Sequence, residues 1–185
     1  MVDPKLLAIS GSLRAESLNT KLVREAVRLF GPAQVSYADL RLPLYDGDLE
    51  DEHGFPQAVQ TLHDQMQAAD GIIISTPEYN KNLPGVLKNA LDWVSRIKPM
   101  PMGGKPLAIM SAAAGREGGA RAQFSLRHCL VPFRPRVLSG PEMMLAGASK
   151  EFDDDGQLTS DIYTKTLSNL MDELRAEIEL TADTK

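Results

Sequence analysis

Short unbroken apolar runs alternate along this chain with longer stretches in which apolar residues recur every three or four positions. Lys5-Leu6-Leu7-Ala8-Ile9, Gly71-Ile72-Ile73-Ile74-Ser75 and Leu107-Ala108-Ile109-Met110 lack polar alternation, as strands covered on both faces of a parallel sheet do. Between and after them, helical spacing places Leu18, Leu22, Ala26 and Leu29 on one face, then Val59, Leu62, Met66 and Ala69. The same spacing selects Leu87, Ala90, Leu91 and Val94, a helix over 120–130, and Ile162, Leu167, Leu170, Leu174 and Ile178 in a last helix that starts near Thr159. Gly31-Pro32 stops the first helix, and residues 34–38 give a short second strand. Residues 39–54 are rich in turn formers and read as a loop. Residues 136–139 and 143–145 read as a fifth strand interrupted by Gly140-Pro141. Strands alternating with helices predict an α/β fold with a parallel sheet and right-handed crossovers. No repeat or linker divides the chain, so residues 1–185 are expected to form a single domain.

In an open sheet of this kind, ligands bind at the carboxyl ends of the strands. Three loops there carry chemistry. After the first strand, the hydroxyls of Ser10, Ser12 and Ser17, the guanidinium of Arg14 and the amide of Asn19 precede a helix N-terminus. Unpaired N–H groups and the positive end of the helix dipole make that a phosphate cradle. The plainer alternative is that Ser17 caps the helix and Arg14 is a solvated charge. No Gly-Lys-Ser/Thr and no Gly-x-Gly-x-x-Gly follows, which disfavours ATP and a Rossmann dinucleotide. After the third strand, Pro77 and Pro84 bracket Glu78-Tyr79-Asn80 and hold that loop, which suits a flat heteroaromatic ligand needing edge hydrogen bonds and a covering ring. Its plainer alternative is an ordinary strand-to-helix turn. The third loop, Ser111-Ala112-Ala113-Ala114-Gly115-Arg116-Glu117-Gly118-Gly119, is glycine-rich and allows close backbone approach, or it is a flexible connection with solvated charges at Arg116 and Glu117.

Gly11-Ser12-Leu13-Arg14-x-x-Ser17-x-Asn19 and Pro77-Glu78-Tyr79-Asn80-x-x-x-Pro84-Gly85-x-Leu87-Lys88-Asn89-Ala90-x-Asp92-Trp93 together resemble the NAD(P)H-dependent FMN reductase family of flavodoxin-like proteins, in its quinone, chromate and azo reductase branch. The resemblance runs from the first strand to the region of Glu142. It implies a flavodoxin-like fold, a five-stranded parallel sheet of order 2-1-3-4-5 with helices on both faces. It further implies FMN as cofactor and NAD(P)H as electron donor. Phosphate contacts then fall to Ser10, Ser12, Arg14, Ser17 and Asn19, and ring contacts to Pro77, Glu78, Tyr79 and Asn80. Ser111 and Gly115 are the third loop's candidates. Relatives often carry a second hydroxyl there, whereas Ala112, Ala113 and Ala114 supply none, which leaves backbone contacts. The implied reaction passes hydride from NAD(P)H to the flavin and then reduces a second small molecule in the same pocket: a quinone, azo compound, chromate or free flavin. No catalytic side chain is required. The alternative is a flavodoxin-like one-electron carrier, whose hallmark is a more strongly acidic face.

Composition narrows the remaining choices. A net charge of −5 and the lack of a basic stripe disfavour nucleic-acid binding. No run of apolar residues is long enough for a membrane span, and Met1-Val2-Asp3-Pro4 leads into the first strand without the features of a signal peptide, so a cytoplasmic setting is expected. His53, His63 and His128 lack metal-ligand spacing, no metal is expected, and the single cysteine, Cys129, reads as helix packing. The helix bearing Leu87, Leu91, Trp93 and Val94 carries more apolar surface than one sheet face needs, and family members form dimers or tetramers, so a homodimer or homotetramer is expected. An Arg121–Glu142 ion pair is a second candidate contact between subunits by resemblance, with Phe124 where relatives commonly have Tyr.

Overall fold

The computed structural model describes residues 3–182. The apolar runs become β1 (Lys5–Ser10), β3 (Gly71–Thr76) and β4 (Pro106–Ala112), with β2 (Gln34–Tyr37) on the β1 edge. Their order is β2-β1-β3-β4-β5, every pair parallel. β5 (Arg136–Val137) pairs with Pro106 and Leu107, whereas β6 (Met143–Leu145) pairs with Met110, Ser111 and Ala112. One sheet position is thus filled by two short segments, with a cis Gly140–Pro141 peptide between them. That is the expected interrupted fifth strand, in a flavodoxin-like order.

Alternate strand residues point to opposite faces, which sorts the core into two layers. Leu6, Ala8, Ile73 and Met110 pack against α1 (Leu18–Phe30) and α6 (Asp161–Ala182) through Leu22, Val23, Leu170 and Leu174. Leu7, Ile9, Ile72, Ile74 and Ile109 pack against α3 (Gln57–Ala68), α4 (Gly85–Val94) and α5 (Ala120–Leu130). Each fully buried Leu or Ile contributes roughly 1.5–3 kcal/mol by leaving water, and the strands at the centre of the sheet are buried along their whole length. Their carboxyl ends are therefore fixed anchor points for the loops beyond.

Two sequence expectations are corrected. Residues 39–54 are not all loop: α2 (Gly47–His53) starts at Asp46, whose carboxylate accepts from Asp48 N–H at 3.0 Å, and ends at Gly54 in the left-handed region with φ 72. Leu49, its one large apolar residue, is exposed, so the helix shows no apolar face from which periodicity could reveal it. The second correction concerns α4. Its apolar residues Leu87, Leu91, Trp93 and Val94 are all buried within the chain. Trp93 packs with Val59 and Ile97, meets the edge of Tyr45 at 5.0 Å between ring centroids, and donates its indole N–H to the Pro43 carbonyl at 2.8 Å. The 39–54 segment is the cover that was assigned to another subunit.

Candidate active site

The first loop is drawn onto the sheet by its own backbone. Gly11 N–H donates to the Ser75 carbonyl at 2.8 Å. A Cβ at Gly11 would lie 3.2 Å from Pro77 Cδ and 3.3 Å from Pro84 Cγ, so glycine lets this loop nest against the second one. Ser17 is the N-cap of α1, its hydroxyl accepting from Thr20 N–H at 3.2 Å. The plain alternative for Ser17 is therefore realised, and the Leu18 and Asn19 N–H groups make no hydrogen bond among the described residues. α1 has no acidic residue in its first turn to neutralise the dipole. Ser10 is occupied with Thr20, their hydroxyls 2.8 Å apart. Arg14 is exposed, and its guanidinium makes no hydrogen bond or ion pair among the described residues.

The second loop is a tight hairpin turn closed by reciprocal bonds between Tyr79 and Asn82 at 3.0 and 3.1 Å. Its central residues, Asn80 and Lys81, have φ 50 and 64, the left-handed pair of a type I′ turn. Two side chains clamp it to α5. The Glu78 carboxylate accepts from Arg121 N–H at 3.0 Å and from its guanidinium at 3.4 Å, and Ser125 donates to Asn82 Oδ1. α5 has no side-chain cap of its own at Gly119, and Glu78 fills that role from across the cleft. Tyr79 stands half-exposed at the rim.

The third loop is held from below. Ser111 Oγ is fully buried, donating to the Gly118 carbonyl at 2.6 Å and accepting from Gln123 Nε2 at 2.8 Å. Asn19, also buried, ties α1 to β3 and β4: Nδ2 donates to the Ala112 carbonyl at 2.9 Å, and Oδ1 accepts from Ser75 Oγ at 2.8 Å and Ala112 N–H at 3.0 Å. Both residues thus carry the loops rather than offering free polar atoms.

Together these loops enclose a cleft of about 400 Å³. Of the residues expected from sequence, Ser12, Arg14, Ser17, Asn19, Pro77, Glu78 and Tyr79 line it; Ser10, Asn80, Ser111 and Gly115 do not. Ala112, Ala113 and Ala114, expected to offer backbone alone, line it as well. Glu16, Leu18 and Ser149 line it without having been expected, and Ser149 lies in a 3₁₀ turn (Ala148–Lys150) beyond β6. Its position just past the end of a sheet strand was the signal available for it. One end of the cleft holds the unpaired Arg14 guanidinium and a helix N-terminus, with the Glu16 carboxylate beside them, and the other is walled by Pro77, Glu78, Tyr79 and the 112–114 segment. This donor set fits a flat heteroaromatic that carries a phosphate.

The chain is similar to known proteins in both sequence and fold. The family model for NADPH-dependent FMN reductase matches residues 4–150. The chain is 46% identical over 161 residues to the NAD(P)H-dependent FMN reductase of Pseudomonas aeruginosa, covering 86% of each sequence. It is 40% identical over 178 residues to the quinone reductase of Escherichia coli K12, covering 93% of this chain and 92% of that one. Among solved structures, FerB, a flavoenzyme NAD(P)H:(acceptor) oxidoreductase from Paracoccus denitrificans, superposes with a TM-score of 0.86 at 31% identity, covering 95% of this chain and 97% of that one.

Proposed function

Because this chain belongs to the NADPH-dependent FMN reductase family, an NAD(P)H-dependent flavoenzyme family with FMN as cofactor, we propose that it reduces quinones and free flavin, with azo compounds and chromate as further acceptors, by a ping-pong cycle in the cytoplasm. The observation that carries the reading is the cleft's polarity, with Arg14 unpaired at the α1 N-terminus on one side and the clamped Pro77-Glu78-Tyr79 loop on the other. Bound FMN supplies the redox chemistry, taking hydride from the nicotinamide and delivering electrons to the acceptor. The protein's part is to hold and cover it. Ser12, Arg14 and the first-turn N–H groups of α1 would hold the phosphate, and Tyr79, Ala113 and Ala114, which also line the cleft, would lie against the ring. The carboxylate of Glu78 is committed to α5, so it does not serve as a proton donor. Acceptor choice is then governed by shape and potential.

A bound ring with one face covered by the second loop would leave a single face, on which donor and acceptor would take turns. Initial rates with NADH or NADPH and a benzoquinone should give parallel double-reciprocal lines, and intersecting lines would refute the ping-pong order. Rapid-mixing measurement of direct two-electron reduction by nicotinamide distinguishes this enzyme from a one-electron carrier, which would show a stable semiquinone and no such step. Two substitutions read the site. Arg14→Ala should weaken FMN binding by roughly 1.5–3 kcal/mol, the range for a hydrogen bond to a charged group, and unchanged affinity by fluorescence titration removes Arg14 from the phosphate site. Cys129, half-buried against the α5 layer and absent from the cleft lining, should tolerate serine with both half-reactions intact.

The assembly we propose is at least a dimer. With the α4 residues buried, its support shifts to an apolar recess of about 570 Å³ beside the second loop, where Leu13, Leu44 and Val86 meet, and Leu44 is 81% exposed. Arg121 pairs within its own chain with Glu78 and Glu117 at 3.4 and 4.0 Å, while Glu142 and Phe124 are exposed. A tetramer built on Arg121–Glu142 would have to share that guanidinium. Light scattering at micromolar concentration checks the assembly; a monomer alone refutes it.

A further inference from the structure

We propose that Ser149, on the turn after β6, recognises the polyol chain of the flavin through its hydroxyl, as the free side-chain hydrogen-bonding group on the third-loop side of the cleft. This deepens the reading of the cleft as an FMN site and rests on it. Along that side the wall is Ala112, Ala113 and Ala114, which bring no polar side-chain atom. The loop's own hydroxyl, at Ser111, is buried and committed to Gly118 and Gln123. The Asn19 amide beside Ala112 is spent in the same way. Ser149, by contrast, is exposed on the cleft, and its hydroxyl makes no hydrogen bond among the described residues.

The turn that carries this serine is held on both sides. Ala148 N–H donates to the Ala113 carbonyl at 3.1 Å and Gly147 N–H to the Gly115 carbonyl at 3.2 Å, which fastens the turn to the third loop. Ala148 itself is buried in the core layer beneath α1 and α6. Farther along, Thr159 N–H returns to the Glu151 carbonyl at 3.0 Å, and Leu158 N–H reaches the Glu25 carboxylate at 3.4 Å. Glu25 is buried on α1 and takes two hydrogen bonds from Arg28, each at 2.7 Å. The helix whose first turn lines the phosphate end thus also anchors the segment that presents Ser149. A hydroxyl fixed in this way forms its contact at little ordering cost.

Chemistry selects the part of the ligand. The phosphate end already offers a guanidinium and helix N–H groups, and the ring end offers Pro77 and Tyr79. FMN joins its phosphate to its ring through a chain of secondary hydroxyls, each a donor and an acceptor. A neutral serine hydroxyl, itself both donor and acceptor, matches that chain, whereas beside a dianion it adds little to what a cation supplies.

The test is fluorescence titration of the full-length, flavin-free chain with FMN and with its 2′-, 3′- and 4′-deoxyribityl analogues. Ser149→Ala should weaken FMN binding roughly three- to tenfold, the effect of one neutral hydrogen bond. The melting temperature of the flavin-free protein should not fall, because the side chain is exposed and unbonded. Ser149→Thr, which keeps the hydroxyl, should stay within about twofold of native. At least one deoxy analogue should bind the native chain more weakly than FMN by a similar factor, and that penalty should vanish in Ser149→Ala, as a direct contact requires. Native FMN affinity in Ser149→Ala overturns the assignment. So does a loss that persists in full with every deoxy analogue, which moves the contact to phosphate or ring. An equal loss in Ser149→Thr together with a lowered melting temperature makes the position structural and overturns it too. A native chain that binds FMN as tightly as Ser149→Ala does loses only this contact, whereas a native chain that binds no flavin loses the parent reading as well.

Discussion

Asn19→Ala is expected to lower the stability of the flavin-free protein by about 3–4 kcal/mol, at the upper end of single-residue effects. The side chain is only 3% exposed and spends every polar atom on protein: Nδ2 on the Ala112 carbonyl, Oδ1 on Ser75 Oγ and Ala112 N–H. Truncation strands three groups in the interior, at Ser75 and Ala112, which are themselves buried. An unpaired buried donor or acceptor costs roughly 1–3 kcal/mol, and partial relaxation keeps the sum below the simple total. Asn19→Asp should not rescue, because a carboxylate accepts the same two hydrogen bonds but cannot donate to the Ala112 carbonyl. Urea unfolding without flavin isolates this effect from ligand stabilisation. A midpoint unchanged by Asn19→Ala, with only FMN affinity reduced, would return Asn19 to the phosphate site.

Asn19 also illustrates what the sequence made legible. The strand-loop-helix order, the three loops and the sheet order follow from unbroken apolar runs and punctuating Gly and Pro, because those features act locally and the buried strands tolerate nothing else. The division of labour inside the loops was harder to read. Ser10, Ser17, Asn19 and Ser111 all resemble ligand donors in one dimension, yet their partners are Thr20 Oγ1, Thr20 N–H, Ala112 and Gly118. Three of those pairings span 10, 3 and 7 positions, whereas the Asn19 partner is 93 positions away, a pairing no local pattern records. Glu78 shows the same thing from the other side. It sits in the ring loop, but its carboxylate caps α5. Trp93 looked like surplus apolar surface only because its cover, Tyr45 and Pro43, lies in a segment whose helix has no apolar face. For α2 the capping signs were present, Asp46 at the start and Gly54 at the end. Weighting those caps above periodicity would have found it.

The site's geometry depends on contacts between loops more than on any one loop. Gly11 lets the first nest on the second, Glu78 and Asn82 fasten the second to α5, and Ser111 holds the third from beneath. A ligand that bridges the phosphate end and the ring end thus meets a frame already assembled, which lowers the ordering cost of binding. Disturbing one fastening point should be felt across the whole cleft.

Gly118→Ala provides the strongest such disturbance. Gly118 has φ 59, where any Cβ is strained by roughly 1–2 kcal/mol. The added atom would lie 2.7 Å from both the carbonyl carbon and the oxygen of Met144. That neighbour is backbone of β6, paired to β4 through Ser111, so it cannot swing aside as a side-chain tip could. Nor can Gly118 easily retreat, since its carbonyl holds the buried Ser111 hydroxyl at 2.6 Å. Either β6 leaves the sheet or the third loop is re-laid, carrying Ala113, Ala114 and the start of α5 with it, and with α5 the anchor of Glu78. We expect FMN affinity to fall at least tenfold, about 1.4 kcal/mol, together with a clear loss of thermal stability in the flavin-free protein. Gly115→Ala is the matched control in the same loop. It lies outside the cleft lining, its φ is not left-handed, and a Cβ there meets nothing within 4 Å, so affinity and melting temperature should stay near native. Equal behaviour of the two variants in flavin titration and thermal melts would mean that the third loop is free to shift, and that β6 does not set the shape of the cleft.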